Sequence, residues 1–223
     1  MSGSARVTRN TCAVNAFQPS PDPAEMAFRF RSGRLCLNFC ATVGERWRGR
    51  YERLPTSVDL ARWYVEAGLV AKALHLDATD LERARLVREA IYRGATALTT
   101  AGRPGRVDEA IINSAAEPAP LVPQLRDAKV RWSMPAEPAG PALLSTVARD
   151  AIELFTGPYA GRVRACASSE CGILFLDSSR PGQRRWCSSA ACGGRERASS
   201  YRRRHRPATS GTTAGASLAK ADE

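Results

Sequence analysis

Cys166-Ala167-Ser168-Ser169-Glu170-Cys171, a spacer of fifteen residues, then Cys187-Ser188-Ser189-Ala190-Ala191-Cys192 is the stretch on which the reading of this 223-residue chain turns. Two cysteine pairs of identical spacing within 27 residues can present four thiolates tetrahedrally to one metal ion. Zinc suits the set better than an iron–sulfur cluster, whose usual closely spaced cysteine run is missing, although thiolates alone also accept iron. With Cys166, Cys171, Cys187 and Cys192 all as ligands, no coordination position stays open. The spacing therefore predicts one structural Zn2+ that builds the fold and performs no catalysis. Ile173, Leu174, Phe175 and Trp186 offer little other core, so the metal should supply much of the module's folding free energy.

Outward from the metal ligands, Gly172 to Asp177 is an apolar run suited to a strand, and Ser178 to Gly182 reads as a turn. Gln183 to Cys187 would return as a second strand or extended segment. A helix is expected to start near Gly194 and to carry Arg195, Arg202, Arg203 and Arg206 on its surface.

Charge follows the same division of the chain. The net charge is +11. Gly161 to Arg206 holds eleven arginines against three acidic residues, whereas residues 1–160 hold 21 basic and 17 acidic residues. A concentrated basic patch is the electrostatic footprint of a polyanion, usually nucleic acid. Arg180, Arg184, Arg185, Arg195, Arg202, Arg203, Arg204 and Arg206 are the candidate contacts, since guanidinium groups bind phosphate and guanine bidentately. Duplex DNA is the favoured partner, with RNA as the alternative because Trp186 and Tyr201 could stack on bases. Trp186, beside Cys187, is expected instead to pack over the metal site.

The remainder reads as mainly helical. Thr56-Ser57-Val58-Asp59 has the hydroxyl and carboxylate of a helix cap, with Leu60, Trp63, Tyr64 and Ala67 on one face. Thr79-Asp80-Leu81-Glu82 should open a longer helix with Leu86, Ala90, Ile91 and Leu98 toward the core. Further helices are expected over Leu35 to Val43, Val107 to Ala116 and Ala142 to Phe155. Phe28-Arg29-Phe30-Arg31 and Lys129 to Ser133 alternate as strands and could pair with each other. Cys36 and Cys40, inside an apolar segment without a nearby histidine, are core thiols. Trp47, Arg48, Arg50, Tyr51 and Arg53 could line an effector pocket, but are read as an exposed loop. His75 and His205 have no nucleophile arrangement around them, and no phosphate-binding glycine loop or hydrolase elbow occurs, so no enzyme is expected.

The stretch from Cys166 through Phe175, Asp177, Ser179 and Arg180, continuing over Arg184-Arg185-Trp186-Cys187-Ser188 to Cys192-Gly193-Gly194-Arg195, resembles the CGNR zinc finger. Leu35-Cys36-Leu37-Asn38-Phe39 with Thr42, and Asp59 to Trp63 with Ala67-Gly68-Leu69, is similar to the ABATE domain that accompanies it. The family is described as stress-induced transcriptional regulators of bacterial type. The resemblance implies an asparagine at the position of Gly194, where it would cap the following helix, and a second polar residue at that of Ala41.

The expected fold class is mainly α with a small antiparallel β element. A flexible arm (1–24) precedes a helical ABATE-like domain (25–160), which is followed by a treble-clef-like or knuckle-type four-cysteine module with a helix behind it (161–206) and a disordered tail (207–223). The expected function is a cytoplasmic, zinc-containing, DNA-binding transcriptional regulator. Its N-terminal domain would sense a small-molecule effector or mediate homodimerisation, and no membrane segment is expected. A zinc-stabilised protein-interaction module and an RNA-binding protein are the alternatives.

Overall fold

A computed structural model describes residues 23–46, 51–135 and 138–205. Most of the expected N-terminal arm with Cys12, the tail, Trp47, Arg48, Arg50 and Arg206 lie outside the described residues. The fold is mainly helical with three two-stranded antiparallel ribbons.

The core forms around α2 (Leu35–Cys40), which follows the single turn α1 (Pro23–Met26). Cys36, Leu37 and Phe39 lose all exposure between α4 (Ala78–Leu98) and α6 (Ala139–Thr156). A buried helix must find partners for its first amides. The Asp150 carboxylate on α6 accepts from the Cys36 N–H at 2.8 Å and pairs with Arg34 at 2.9 Å. Asn38 accepts from the Ser32 N–H at 2.9 Å, which folds the entering chain back over the helix.

The expected cap at Thr56 is present: Thr56 and Asp59 form a reciprocal capping box at the start of α3 (Ser57–Glu66). Trp63 on this helix is fully buried, 4.8 Å from the Phe39 ring and 6.0 Å from Phe30. The start of α4 differs from expectation. Asp77 with Asp80 makes the capping box, two residues before Thr79, because the Asp77 carboxylate accepts from the Asp80 N–H and the Asp80 carboxylate from the Asp77 N–H. Leu86, expected in the core, is about half exposed, while Ala84, Val87 and Ile91 face inward. Ala84, Ala90, Gly94 and Ala95 on the buried side let neighbouring helices approach, and Leu86 falls outside that side. Helix α5 (Arg106–Ala116) ends before Pro118 as its pattern indicates.

Phe28 to Arg31 forms no strand; Phe30 instead packs on Trp63, and the Arg62 guanidinium lies 4.2 Å from the Phe28 ring centroid. Lys129 to Ser133 pairs locally, as β4 (Lys129–Ser133), with β3 (Val122–Arg126). Asp127 and Ala128 both adopt positive φ, the two-residue turn whose twist matches a hairpin, so the near partner wins over the distant one.

Between α2 and α3, β1 (Val43–Gly44) pairs with β2 (Tyr51–Glu52). This ribbon is tied to α4 by Arg88, a buried guanidinium bonded to both Glu52 oxygens at 2.8 and 2.6 Å, to Thr42 at 3.1 Å and to Glu89 at 2.9 Å. Burial alone would lower its pKa, but the two carboxylates outweigh burial and raise it. Tyr51 and Arg53 are buried rather than part of an exposed loop; Arg53 donates to the Glu25 and Ala41 carbonyls at 2.7 and 3.1 Å.

After α6 and a 3-10 turn (Ala160–Arg162), β5 (Val163–Ala165) pairs with β6 (Leu174–Leu176). Gln183 to Cys187, expected as a second strand or an extended segment, forms no strand and is tied to Asp177 through the Arg184 N–H. Val163, Leu174 and Leu176 belong to the same apolar cluster as α2, α4 and α6. The Leu176 N–H donates to the Ser32 carbonyl at 2.8 Å, beside Gly33 at φ +78, where an added Cβ would touch Leu176. Among the described residues, no helix is long and apolar enough to cross a membrane.

Replacing Arg88 with Ala removes the cation between Glu52 and Glu89. Because Glu52 is part exposed, the expected loss is about 2–3 kcal/mol, below that of a fully buried pair. Denaturant unfolding at neutral pH measures it, and a loss under about 0.5 kcal/mol would contradict this role.

Candidate functional site

The ribbon β5–β6 brings the first cysteine pair to one end. Cys166 follows β5 directly, its N–H bonded to the Ile173 carbonyl at 2.9 Å, and Cys171 closes the intervening turn on the Ser168 carbonyl at 3.1 Å. The Ala167 N–H bonds to the Arg185 carbonyl at 2.8 Å, which draws the second half of the module across. The Cys187 N–H then points at the Cys166 sulfur, 3.5 Å away. Cys192 arrives on a π-type turn (Ser189–Gly193) that runs straight into α7 (Gly194–Arg204).

All four Sγ atoms lie within 4.8 Å of one another, with Cys171 and Cys187 3.6 Å apart and Cys187 and Cys192 3.7 Å apart. Sulfurs at about 2.3 Å from a tetrahedral zinc would be separated by about 3.8 Å. The cluster fits that ion. Ala41, Ile173 and Phe175 bury it, and Trp186 packs against it as its sequence position suggested. Hydrogen bonds from the Cys171 and Cys187 sulfurs pull the Cys166 pKa down, while Cys166 and Cys171 push that of Cys187 up. A divalent cation replaces the protons these sulfurs would otherwise share. The chain thus holds one structural Zn2+. Cys36 and Cys40 lie apart from it in the core; burial pushes the Cys40 thiol up to about 12 and raises that of Cys36 as well.

Asp177, to which its sequence position assigns no role, is fully buried two residues beyond Phe175 of the metal cluster. Its carboxylate accepts from the Ser179 N–H at 3.0 Å, the Ser179 hydroxyl at 2.6 Å and the Arg184 N–H at 2.8 Å. Burial pushes its pKa up, but the Ser179 hydroxyl and the Arg184 and Ser179 amides outweigh it and hold the carboxyl below its ordinary value. Asp177 thereby pins the Gln183 to Cys187 segment across the loop, and β6 takes β5 as its partner. The signal was present as Asp177-x-Ser179, the spacing of an Asx turn.

The candidate arginines divide by what they already hold. Arg184 is half-buried, donates to the Cys187 carbonyl at 2.8 Å and lies over Phe175, so it supports the metal loop. Arg195 pairs with Glu170 at 3.3 Å on the surface. Arg185 is exposed over the Trp186 ring, and Arg180 is exposed on the preceding turn. Arg202, Arg203 and Arg204 are exposed in the last turn of α7, and Arg206 lies outside the described residues.

Residues 33–158 match the ABATE family, described as "Putative stress-induced transcription regulator", and residues 162–205 match the CGNR zinc finger. The chain belongs to the ABATE family. No curated protein matches it. The two families and the thiol cluster make this ABATE protein a zinc-containing member of a regulator family. They also give meaning to its departure at Gly194. The cap on this helical segment is Ser188, whose hydroxyl accepts from the Ala191 N–H at 3.1 Å. Gly194 sits past that start with φ −62, so a side chain there does not serve as the helix cap.

Replacing Asp177 with Asn turns one acceptor into a donor facing the donors it now receives, at an expected cost of about 1–3 kcal/mol. Faster zinc transfer to a chromophoric chelator would show it, and an unchanged rate would contradict it. The wild-type carboxylate, its folded pKa depressed, lends stability that is complete above about pH 3.9 and is lost as pH falls through the lower folded value. Gly194→Asn, by contrast, should keep zinc content and change unfolding free energy by less than about 0.5 kcal/mol, since a Cβ there meets only the Arg197 guanidinium at 4.0 Å. Loss of zinc in this variant would overturn the assignment of the cap to Ser188.

Proposed function

We propose that this protein is a DNA-binding transcriptional regulator in which zinc fixes a basic helix for duplex contact and the N-terminal helices respond to a small molecule. The observation that carries the DNA reading is α7. It has eleven residues, five of them arginine against one glutamate, and none is buried. A helix without an apolar face gains little from packing, so its fixed start at Cys192 and Ser188 must hold it. Arginines at a helix C-terminus complement the macrodipole, but that effect falls off within one turn and does not call for Arg195 or Arg197. A major groove about 12 Å wide admits a single helix, and phosphate contacts would set its register. Arg180 and Arg185 flank the same module and supply further backbone contacts. Arg184, engaged with Cys187, contributes by shaping the loop.

Affinity for duplex DNA should fall linearly with salt on logarithmic axes, at about −0.9 per phosphate neutralised. Replacing Arg202, Arg203 and Arg204 together with Ala should flatten that slope by about 2–3 while leaving one zinc per chain. Fluorescence anisotropy across a salt series, with metal analysis of the same samples, reads both quantities. Equal affinity of variant and wild type would move the contact surface off α7, and preference for single-stranded RNA would replace the DNA reading.

A further inference from the structure

Helices α3 to α6 enclose a half-open cavity of about 570 Å³, within the size range of small-molecule sites. Its floor is Leu60, Leu76, Val87 and Leu144, all buried. The part-exposed Leu86, which the helical pattern placed in the core, lines the cavity instead.

Two charged residues one helical turn apart on α4 face this space, and they are not equivalent. Asp80 already accepts from the Asp77 N–H at 3.2 Å in the capping box. Its other oxygen occupies the place that a Cβ on Gly140, in the first turn of α6, would take. That turn has no side-chain cap of its own, so the carboxylate serves the positive end of the α6 dipole. Arg83 is exposed and has no ion pair or hydrogen-bond partner among the described residues. Arg34, Arg46, Arg62, Arg88 and Arg93 of the same helical region all pair with carboxylates. The cavity thus offers an apolar floor and one uncommitted guanidinium at its edge. Tyr64, which also lines it, is kept protonated by burial and by the Asp80 charge, so it adds no competing anion.

We propose that this cavity binds a small monocarboxylate with an apolar body, the acid group on Arg83 and the body over Leu60, Val87 and Leu144. This deepens the sensing role proposed above by giving it a site and a ligand class. A planar guanidinium recognises a carboxylate through two parallel hydrogen bonds, and an apolar tail replaces water over the floor. The site is also placed to be felt by the metal module, since α4 contacts β5 and α6 leads directly into it.

The test uses the zinc-loaded full chain without DNA, titrated calorimetrically with octanoate and, separately, with octan-1-ol. Octanoate should bind saturably at one site and more tightly than the alcohol. Arg83→Ala should weaken octanoate about tenfold and leave octan-1-ol unchanged. Ala110→Trp, a change at an exposed lining position on α5, should abolish both. Failure of both probes to bind, or binding unaffected by Ala110→Trp, would overturn the site. Octanoate binding indifferent to Arg83→Ala would overturn the carboxylate assignment. A second measurement, DNA affinity with and without octanoate, bears on the sensing role alone: an unchanged affinity would remove sensing and leave the site standing.

Discussion

Four sulfurs cannot share a space less than 5 Å across as thiolates without a cation between them, and that constraint organises the C-terminal third of the chain. The ribbon β5–β6 is only three residues long on each strand, and a two-stranded ribbon is marginal by itself. The metal ties its end to the Cys187 loop and to the turn carrying Cys192. Asp177 completes the closure from the other side by collecting three donors from the segment that must come back. Metal and carboxylate thus act on the two ends of one loop.

The module is not a bead on a string. Val163, Leu174 and Leu176 share the apolar cluster of the helices, Ser32 accepts from the Leu176 amide, and Ala41 at the end of α2 lies against the zinc cluster. Cooperative packing of this kind couples the stability of neighbouring elements. Thus α2 touches the metal site at one end and receives its N-terminal cap from Asp150 at the other.

Local chemistry was legible in the sequence wherever one residue decides an element. The cysteine spacing gave the metal set, the Thr56 cap gave α3, and the apolar segment around Cys36 and Cys40 gave a buried helix. What the sequence hid depends on distant partners. Phe28 to Arg31 has the alternation of a strand, yet Trp63 takes the Phe30 ring and Arg62 the Phe28 ring. Lys129 to Ser133 needed a partner, and two positive-φ residues at Asp127 and Ala128 supplied one next door. Asp177 reads as the last residue of an apolar strand, and its role emerges where three donors converge on it. The cavity around Arg83 could not be read at all, because its walls come from four helices whose packing no single periodicity encodes. Among the arginines, composition alone could not separate Arg184, spent on the Cys187 carbonyl, from Arg185 one position later.

Among the described residues, the helix that leaves the metal is bonded to other elements near its beginning, through Arg195 and Arg197, and that makes it a lever. Eleven residues at 1.5 Å each give an arm of about 16 Å. A tilt of about 10° at the Cys192 end would carry its arginine tip about 3 Å, roughly the length of one hydrogen bond. A displacement too small to disturb the coordination sphere at the pivot would thus make or break a contact at the far end.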